Sequence, residues 1–352
     1  MLWKISSIFL IIQLAPGMLM QANREAALYI VRKVTTMSKI VIMESLGISA
    51  GELAARKKPF EDKGHIFEEY SRTTDIAALK EEAKDADMMI LANMPMPAEV
   101  IQSCEHLQFI DIAFTGVDHV ALDAAKEKGI AVSNASGYSN EAVSELVLGM
   151  TLSLLRNLPQ VEQRCRAGQT KDGLVGSEIK GKTVGIIGYG NIGRRTGELF
   201  HAFGARILAQ SRHHHDDAPE YVTQVSQEML LKESDIVILH CPLNDSTRGM
   251  IDKDKLALMK PSAILINAAR GPVVVSQDLA DALTDGTIAG AGIDVFDKEP
   301  PLDEKEPLLS APNTLVTPHV AFATQESMSL RAEIVFDNLR VWLSGEQKNV
   351  IL

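Results

Sequence analysis

Short apolar runs alternate with charged, helix-patterned segments along nearly the whole chain. Ile40–Met43, Met88–Leu91, Phe109–Ala113 and Ile130–Val132 read as strands, with helices such as Thr74–Lys84 and Ala121–Lys128 between them. That alternation predicts a parallel α/β sheet. From Glu141 to Leu158 the apolar residues Val143, Leu146, Val147, Met150, Leu154 and Leu155 fall at helical spacing. The apolar face of this helix is wide, which suits burial between domains or subunits, or an ordinary place in a core. A second alternating series comprises Thr183–Ile187, Arg206–Gln210, Asp235–His240, Ala263–Asn267, Gly290–Val295 and Thr314–Thr317. Thr324 to Leu343 is helical again, has no strand after it, and is expected to return to the first domain.

One apolar strand runs straight into Gly188-Tyr189-Gly190-Asn191-Ile192-Gly193, and a helix-like segment, Arg194 to Phe203, follows at once. In that context G-x-G-x-x-G means dinucleotide binding. Gly188 allows the tight turn, Gly190 lets the backbone approach a pyrophosphate, and Gly193 lets the helix pack close to the strand. The next strand ends in Ser211-Arg212, where an NAD-type site carries an acidic residue for the ribose. A carboxylate repels a 2′-phosphate, whereas a hydroxyl followed by a guanidinium binds one. NADP is therefore favoured over NAD. The competing reading makes Arg212 a solvated loop residue and gives the ribose to Asp216 or Asp217.

Composition narrows the setting. The chain has 352 residues, enough for two domains, and a formal net charge of −11 that argues against a nucleic-acid surface. Cys104, Cys165 and Cys241 show no CxxC spacing, so neither a disulfide framework nor a thiolate metal site is expected. Cys241 reads as a small apolar residue at a buried strand end. The first 36 residues differ from the rest: Lys4 precedes an apolar run, Ile8 to Met20, broken by Gln13, Pro16 and Gly17. That run is too short for a membrane span and superficially resembles a signal peptide. Export would separate a nicotinamide enzyme from its cofactor, and codons for Arg32-Lys33-Val34 can spell a ribosome-binding sequence. The expectation is a cytoplasmic protein that starts at Met37 and makes no membrane contact. His213-His214-His215-Asp216-Asp217 looks like a metal cluster, but consecutive residues cannot all face one ion. It reads as a solvated loop, with a minor role near a 2′-phosphate as the alternative.

Three polar signals sit at or just past late strand ends: Asn267-Ala268-Ala269-Arg270-Gly271, the run Gly292–Pro301, and Thr317-Pro318-His319. Each alone has a bland reading: a loop charge for Arg270, a turn carboxylate for Glu299, a core histidine for His319. Arginine, acid and histidine at successive ends of one cofactor sheet are harder to dismiss.

With these pieces the chain resembles the D-isomer-specific 2-hydroxyacid dehydrogenase family from Met37 to Leu352. Further matching pieces are Thr115-Gly116-Val117-Asp118-His119-Val120, Gly137-Tyr138 through Glu141-Ala142-Val143, and His240-Cys241-Pro242-Leu243. The resemblance implies two Rossmann-like domains, parallel sheets with helices on both faces. A nucleotide domain (137–322) is inserted into a substrate domain (37–136 and 323–352). It implies Arg270, Glu299 and His319 as the catalytic triad. Asn191, Ile192, Cys241, Thr247, Ala268, Ala269 and Asp294 fall at cofactor positions, and Met94 and Pro95 in a substrate loop. It also implies a homodimer formed through the nucleotide domain.

The chemistry needs these residue types. Arg270 can grip the carboxylate and ketone of a 2-oxo acid with its planar fork. His319 as imidazolium supplies the proton, and Glu299 favours that charged form and holds one tautomer. Asp294 is expected to orient the nicotinamide carboxamide. The loop Ala92–Met96 lacks the charged and hydroxyl residues of phosphoglycerate-type members, so a phosphorylated substrate is not expected. Phe322 beside the site suits a bulkier 2-oxo acid. The leading expectation is an NADPH-favouring reductase of glyoxylate or hydroxypyruvate. The alternatives are an NAD-dependent D-lactate or aryl-lactate type dehydrogenase and, from another class, a cofactor-sensing co-repressor-like protein.

Overall fold

The computed structural model describes residues 37–299 and 302–352, so the apolar run of residues 8–20 lies outside the described residues. The chain divides into two compact units, crossing between them several times. One holds residues 37–114, 119–135 and 332–352; the other holds Thr115–Asp118 and Ser136–Arg331. The expected return to the first unit at residue 323 therefore falls at residue 332 instead, part-way along the last helix.

The first unit is a five-stranded parallel sheet. Its strands are β1 (Lys39–Ile42), β2 (Ile66–Glu69), β3 (Met88–Leu91), β4 (Phe109–Ile112) and β5 (Ala131–Asn134), in the order β2-β1-β3-β4-β5. Helices cover both faces of such a sheet, which is why β3 and β4 are buried at every position. The helices are α1 (Ala50–Glu61), α2 (Ile76–Ala83), α3 (Ala98–Ser103) and α4 (Leu122–Glu127). Asp75 caps α2 by accepting from the Ala77 amide at 2.9 Å. The final residues close the open edge of the sheet: Ser133 bridges Val350 in antiparallel sense, and the Ile351 amide donates to the Val132 carbonyl at 2.8 Å.

The second unit is a seven-stranded parallel sheet in the order β12-β11-β10-β9-β6-β7-β8. The strands are β6 (Thr183–Ile187), β7 (Arg206–Gln210), β8 (Val222–Gln224), β9 (Ile236–Leu239), β10 (Ile264–Asn267), β11 (Gly290–Ile293) and β12 (Thr314–Val316). Alternating side chains fill two cores, with Val184, Ile186, Ile207, Ile238 and Ile266 in one and Leu208, Val237, Leu239 and Leu265 in the other. The helices of this unit are α5 (Asn140–Leu155), α6 (Leu158–Arg166), α7 (Asn191–Ala202), α8 (Gln227–Glu233), α9 (Lys253–Leu256) and α10 (Ser276–Thr284). The last helix, α11 (Gln325–Leu343), begins in this unit and ends in the other.

The helix expected from Glu141 through Leu158 stops at Leu155. Asn157 takes a left-handed backbone, φ 51°, and α6 starts after it with Pro159 in its first turn. A proline has no amide to bond the carbonyl four residues back and its ring clashes with it, so one helix cannot run on through Leu155 to Pro159. Val143, Val147 and Met150 bury one face of α5 in the core beside Tyr189 and Phe200. Among the described residues no helix is long and apolar enough to cross a membrane.

Candidate active site

Strand order reverses between β6 and β9, and in an open α/β sheet ligands bind at the carboxyl ends of the strands at such a point. Gly188 ends β6 with φ +99°, and a β-carbon there would lie 2.5 Å from the Cys241 amide nitrogen that follows β9. A β-carbon on Gly193 would lie 2.2 Å from the Gly188 carbonyl oxygen. Turn, helix start and neighbouring strand end thus meet backbone to backbone. Gly190 is the N-cap of α7, no side chain caps it, and nothing comes within 4 Å of where its β-carbon would be. An uncapped helix N-terminus behind an open glycine fits a pyrophosphate. Asn191, Ile192 and Gly193 form the first turn that would hold it.

The ribose position is more structured than expected. Ser211 Oγ accepts from the Tyr189 amide at 2.9 Å, bracing the glycine turn while leaving its own hydroxyl hydrogen to donate. Arg212 is exposed and reaches Ser246 Oγ at 3.4 Å. Asp217 is committed elsewhere, to Arg194 at 2.7 Å. His213 and His214 are exposed, but the reading of the whole run as a solvated loop needs correction at His215. Its Nδ1 accepts from Arg194 at 2.9 Å and its ring packs edge-on to Tyr189. Cys241 is buried just past β9, and burial pushes its thiol up to about 11. Thr247 Oγ1 accepts from the Asn244 amide and donates to the Pro242 carbonyl at 2.7 Å, shaping the loop after Cys241. Ala268 and Ala269 follow β10, where the Asn267 side chain accepts from the Ala269 amide at 3.1 Å.

Arg270, Glu299 and His319 occupy the carboxyl-end connections after β10, β11 and β12. His319 Nδ1 is hydrogen-bonded to Glu299 Oε2, and Glu299 Oε1 accepts from the Phe296 amide at 2.6 Å. The carboxylate is thereby fixed at both oxygens, and the ring is oriented with Nε2 as its second functional atom. His319 has φ 54°, and its amide donates to the Asp294 carbonyl at 2.7 Å.

Asp294 has no exposed surface. Its carboxylate accepts from Thr317 Oγ1 at 2.5 Å and from the Val320 and Ala321 amides, both at 2.9 Å. Burial raises its pKa, opposed by those hydrogen bonds. The side chain expected to face a nicotinamide is first of all the clamp that holds the His319 turn.

Arg270 has an acidic partner. Its fork is paired rather than held open, with Nε and Nη2 each 3.1 Å from Asp118 Oδ1. Nη1 donates to the Ala269 carbonyl at 2.8 Å. The guanidinium lies across Gly116, where a β-carbon would stand 1.6 Å from Nη2.

Met94 lies in the loop expected to reach the substrate. Its side chain is wholly buried in the first unit, and its amide donates to Glu44 Oε1 at 2.6 Å; Pro95 beside it is exposed. Glu44 was not legible as the organiser of this loop, because it follows β1, far from Met94 in sequence. His240, part of a matching motif, is a structural histidine. Burial pushes its pKa down to about 3, so it is neutral, with Nε2 at 2.9 Å from Thr196 Oγ1.

The family model for "D-isomer specific 2-hydroxyacid dehydrogenase, NAD binding domain" matches residues 148–321. A hydroxypyruvate reductase of Blautia hydrogenotrophica is 34% identical over 325 residues, spanning 89% of this chain and 99% of that protein. A glyoxylate reductase of Thermococcus litoralis is 36% identical over 279 residues, 76% of this chain and 84% of that one. The chain belongs to the D-isomer-specific 2-hydroxyacid dehydrogenase family. An acyclic imino acid reductase solved with NADPH and D-Arg superposes with TM-score 0.82 at 27% identity, over 89% of this chain and all of that one. As a D-2-hydroxyacid dehydrogenase, the protein is an NAD(P)-dependent oxidoreductase acting on small 2-hydroxy or 2-oxo acids.

Proposed function

We propose that this D-2-hydroxyacid dehydrogenase reduces glyoxylate and hydroxypyruvate to D-2-hydroxy acids in the cytoplasm, with NADPH preferred over NADH. The second unit is the dinucleotide domain and the first the substrate domain. The observation that carries the reading is the Glu299–His319 pair on the same sheet edge as Arg270 and the glycine turn. The reduced nicotinamide, when bound, supplies the hydride.

The protein's own residues supply binding and the proton. Arg270 receives the substrate carboxylate, and its fork exchanges part of its bond to Asp118 for the incoming anion. His319 gives a proton from Nε2 to the carbonyl oxygen as it gains alkoxide character, and takes it back in the oxidation direction. Glu299 keeps Nδ1 occupied, so proton traffic is confined to Nε2.

Support for NADPH comes from three placements: Ser211 keeps a donor hydrogen, Arg212 is exposed beside it, and Asp217 is engaged by Arg194. Wild-type kcat/KM should favour NADPH at least tenfold, since a charge-assisted contact contributes roughly 1.5–3 kcal/mol. Arg212→Ala should erase most of the preference and Ser211→Asp should invert it. An enzyme that prefers NADH and is indifferent to Arg212→Ala would sink the cofactor assignment. A panel of 2-oxo acids tests the substrate: turnover of only alkyl or aryl pyruvates would favour the D-lactate type, and turnover of none a sensing role.

A further inference from the structure

Arg331, in the second turn of α11, is only 4% exposed, and the reaction as described gives it no task. Its guanidinium carbon lies 5.7 Å from the Tyr138 ring centroid and 5.9 Å from that of Phe322, within the range of cation–π attraction. The two rings meet edge to face at 6.5 Å. Phe322 in turn stands edge-on to the His319 imidazole, with centroids 5.4 Å apart. The Tyr138 hydroxyl is hydrogen-bonded by Arg331 and by Ser139, and it also feels the charge of Arg270. Arginine, two aromatic rings and the catalytic histidine form one continuous stack inside the second unit.

A charge is costly to bury, and an aliphatic side chain of similar volume would fill a purely structural position better. This one is seated where its planar, weakly hydrated cation meets two ring faces and a phenol oxygen. We propose that Arg331 is a positioning residue for the reduction, fixing Phe322 and Tyr138 against His319 and adding a buried positive charge that favours an anionic substrate. The inference rests on the assignment of Arg270 and His319 given above. Arg331 acts through the aromatic pair and through its field, so its removal should weaken the 2-oxo acid far more than the dinucleotide.

The test compares the full-length wild type with Arg331→Met, Arg331→Lys and Tyr138→Phe. It uses steady-state kinetics on glyoxylate and calorimetric binding of oxamate in the presence of NADPH. Arg331→Met should raise KM for glyoxylate and Kd for oxamate at least tenfold while moving KM for NADPH less than twofold. Arg331→Lys, which restores charge but not the planar stack, should recover at least a threefold part of that loss. Adding Tyr138→Phe to Arg331→Met should cost little more, because the hydroxyl has already lost its charged partner. If Arg331→Met does not fold, Arg331→Lys and Tyr138→Phe carry the same test, each expected to weaken oxamate about threefold. Folded variants that bind oxamate as tightly as wild type overturn the inference. So does a loss that affects glyoxylate and NADPH equally. A wild type that binds oxamate through Arg331 but reduces no 2-oxo acid overturns the proposed function alone, and one that neither binds nor reduces overturns both.

Discussion

His319 holds a left-handed backbone that costs a residue with a β-carbon roughly 1–3 kcal/mol. The cost is offset because Asp294 gathers the turn with its carbonyl and both carboxylate oxygens. That arrangement aims the ring at Glu299 rather than leaving it to rotamer chance. His319→Ala should lower kcat, measured under saturating cofactor, by about a hundred- to ten-thousand-fold, and leave KM for the dinucleotide, from a cofactor titration, unmoved. A near-normal kcat would remove His319 from the proton path. Gly116→Ala is a second residue-scale probe. Its β-carbon would stand 1.6 Å from Arg270 Nη2, so the guanidinium must leave Asp118. KM for the 2-oxo acid should rise tenfold or more with little change in Tm, and an unchanged KM would show that Arg270 works without that seat. Arginine, acid and histidine were legible because each follows an apolar strand. Asp118 was not legible as the partner of Arg270, because 152 residues separate them and nothing local signals the pair.

Strands buried on both faces announce themselves, and β3, β6 and β7 match their expected bounds. The missed elements share a different physics. Strand β2 is an edge strand with no buried residue, and β8 is three residues long, also at an edge. Helix α1 buries only Phe60 and is mostly small or charged residues, so it shows no apolar stripe. In α5 the stripe was legible but its division was not. One face enters the core, while Leu148, Leu152 and Leu155 on another remain half-buried. A half-covered leucine row at helical spacing suits an isologous partner, as the family resemblance implies. Light scattering should give a homodimer at assay concentration, and Leu152→Glu should shift it to monomer. A wild type that is monomeric throughout would leave that face an ordinary core margin.

Across the molecule, distant segments are tied by one buried polar knot in the first unit. Asn338 Nδ2 donates to Asp111 Oδ1 at 2.9 Å and to the Asn134 carbonyl at 3.0 Å, and Asn349 donates to Asn338 Oδ1 at 2.8 Å. Burial pushes the Asp111 carboxyl up to about 8, against an ordinary value of 3.8. Below that ordinary value folded and unfolded chains both hold the proton. Between it and about 8 only the folded chain does, so stability falls as pH rises through this window and levels off above it. Asp111→Asn, which cannot ionise, should melt higher than wild type at pH 8.5 and lose that advantage at pH 4. Equal melting at both values would show that Asp111 is not the group responsible. The same ends of the chain carry a consequence for synthesis. Ser133 Oγ donates to the Lys348 carbonyl across 215 residues, and the last residues pair with the edge strand β5. At about 5–20 residues per second, a ribosome needs on the order of 10–40 s to make what lies between them. For that interval the first sheet waits on the nascent chain with an unprotected edge, open to pairing with a neighbouring polypeptide, until the segment that closes it has been made.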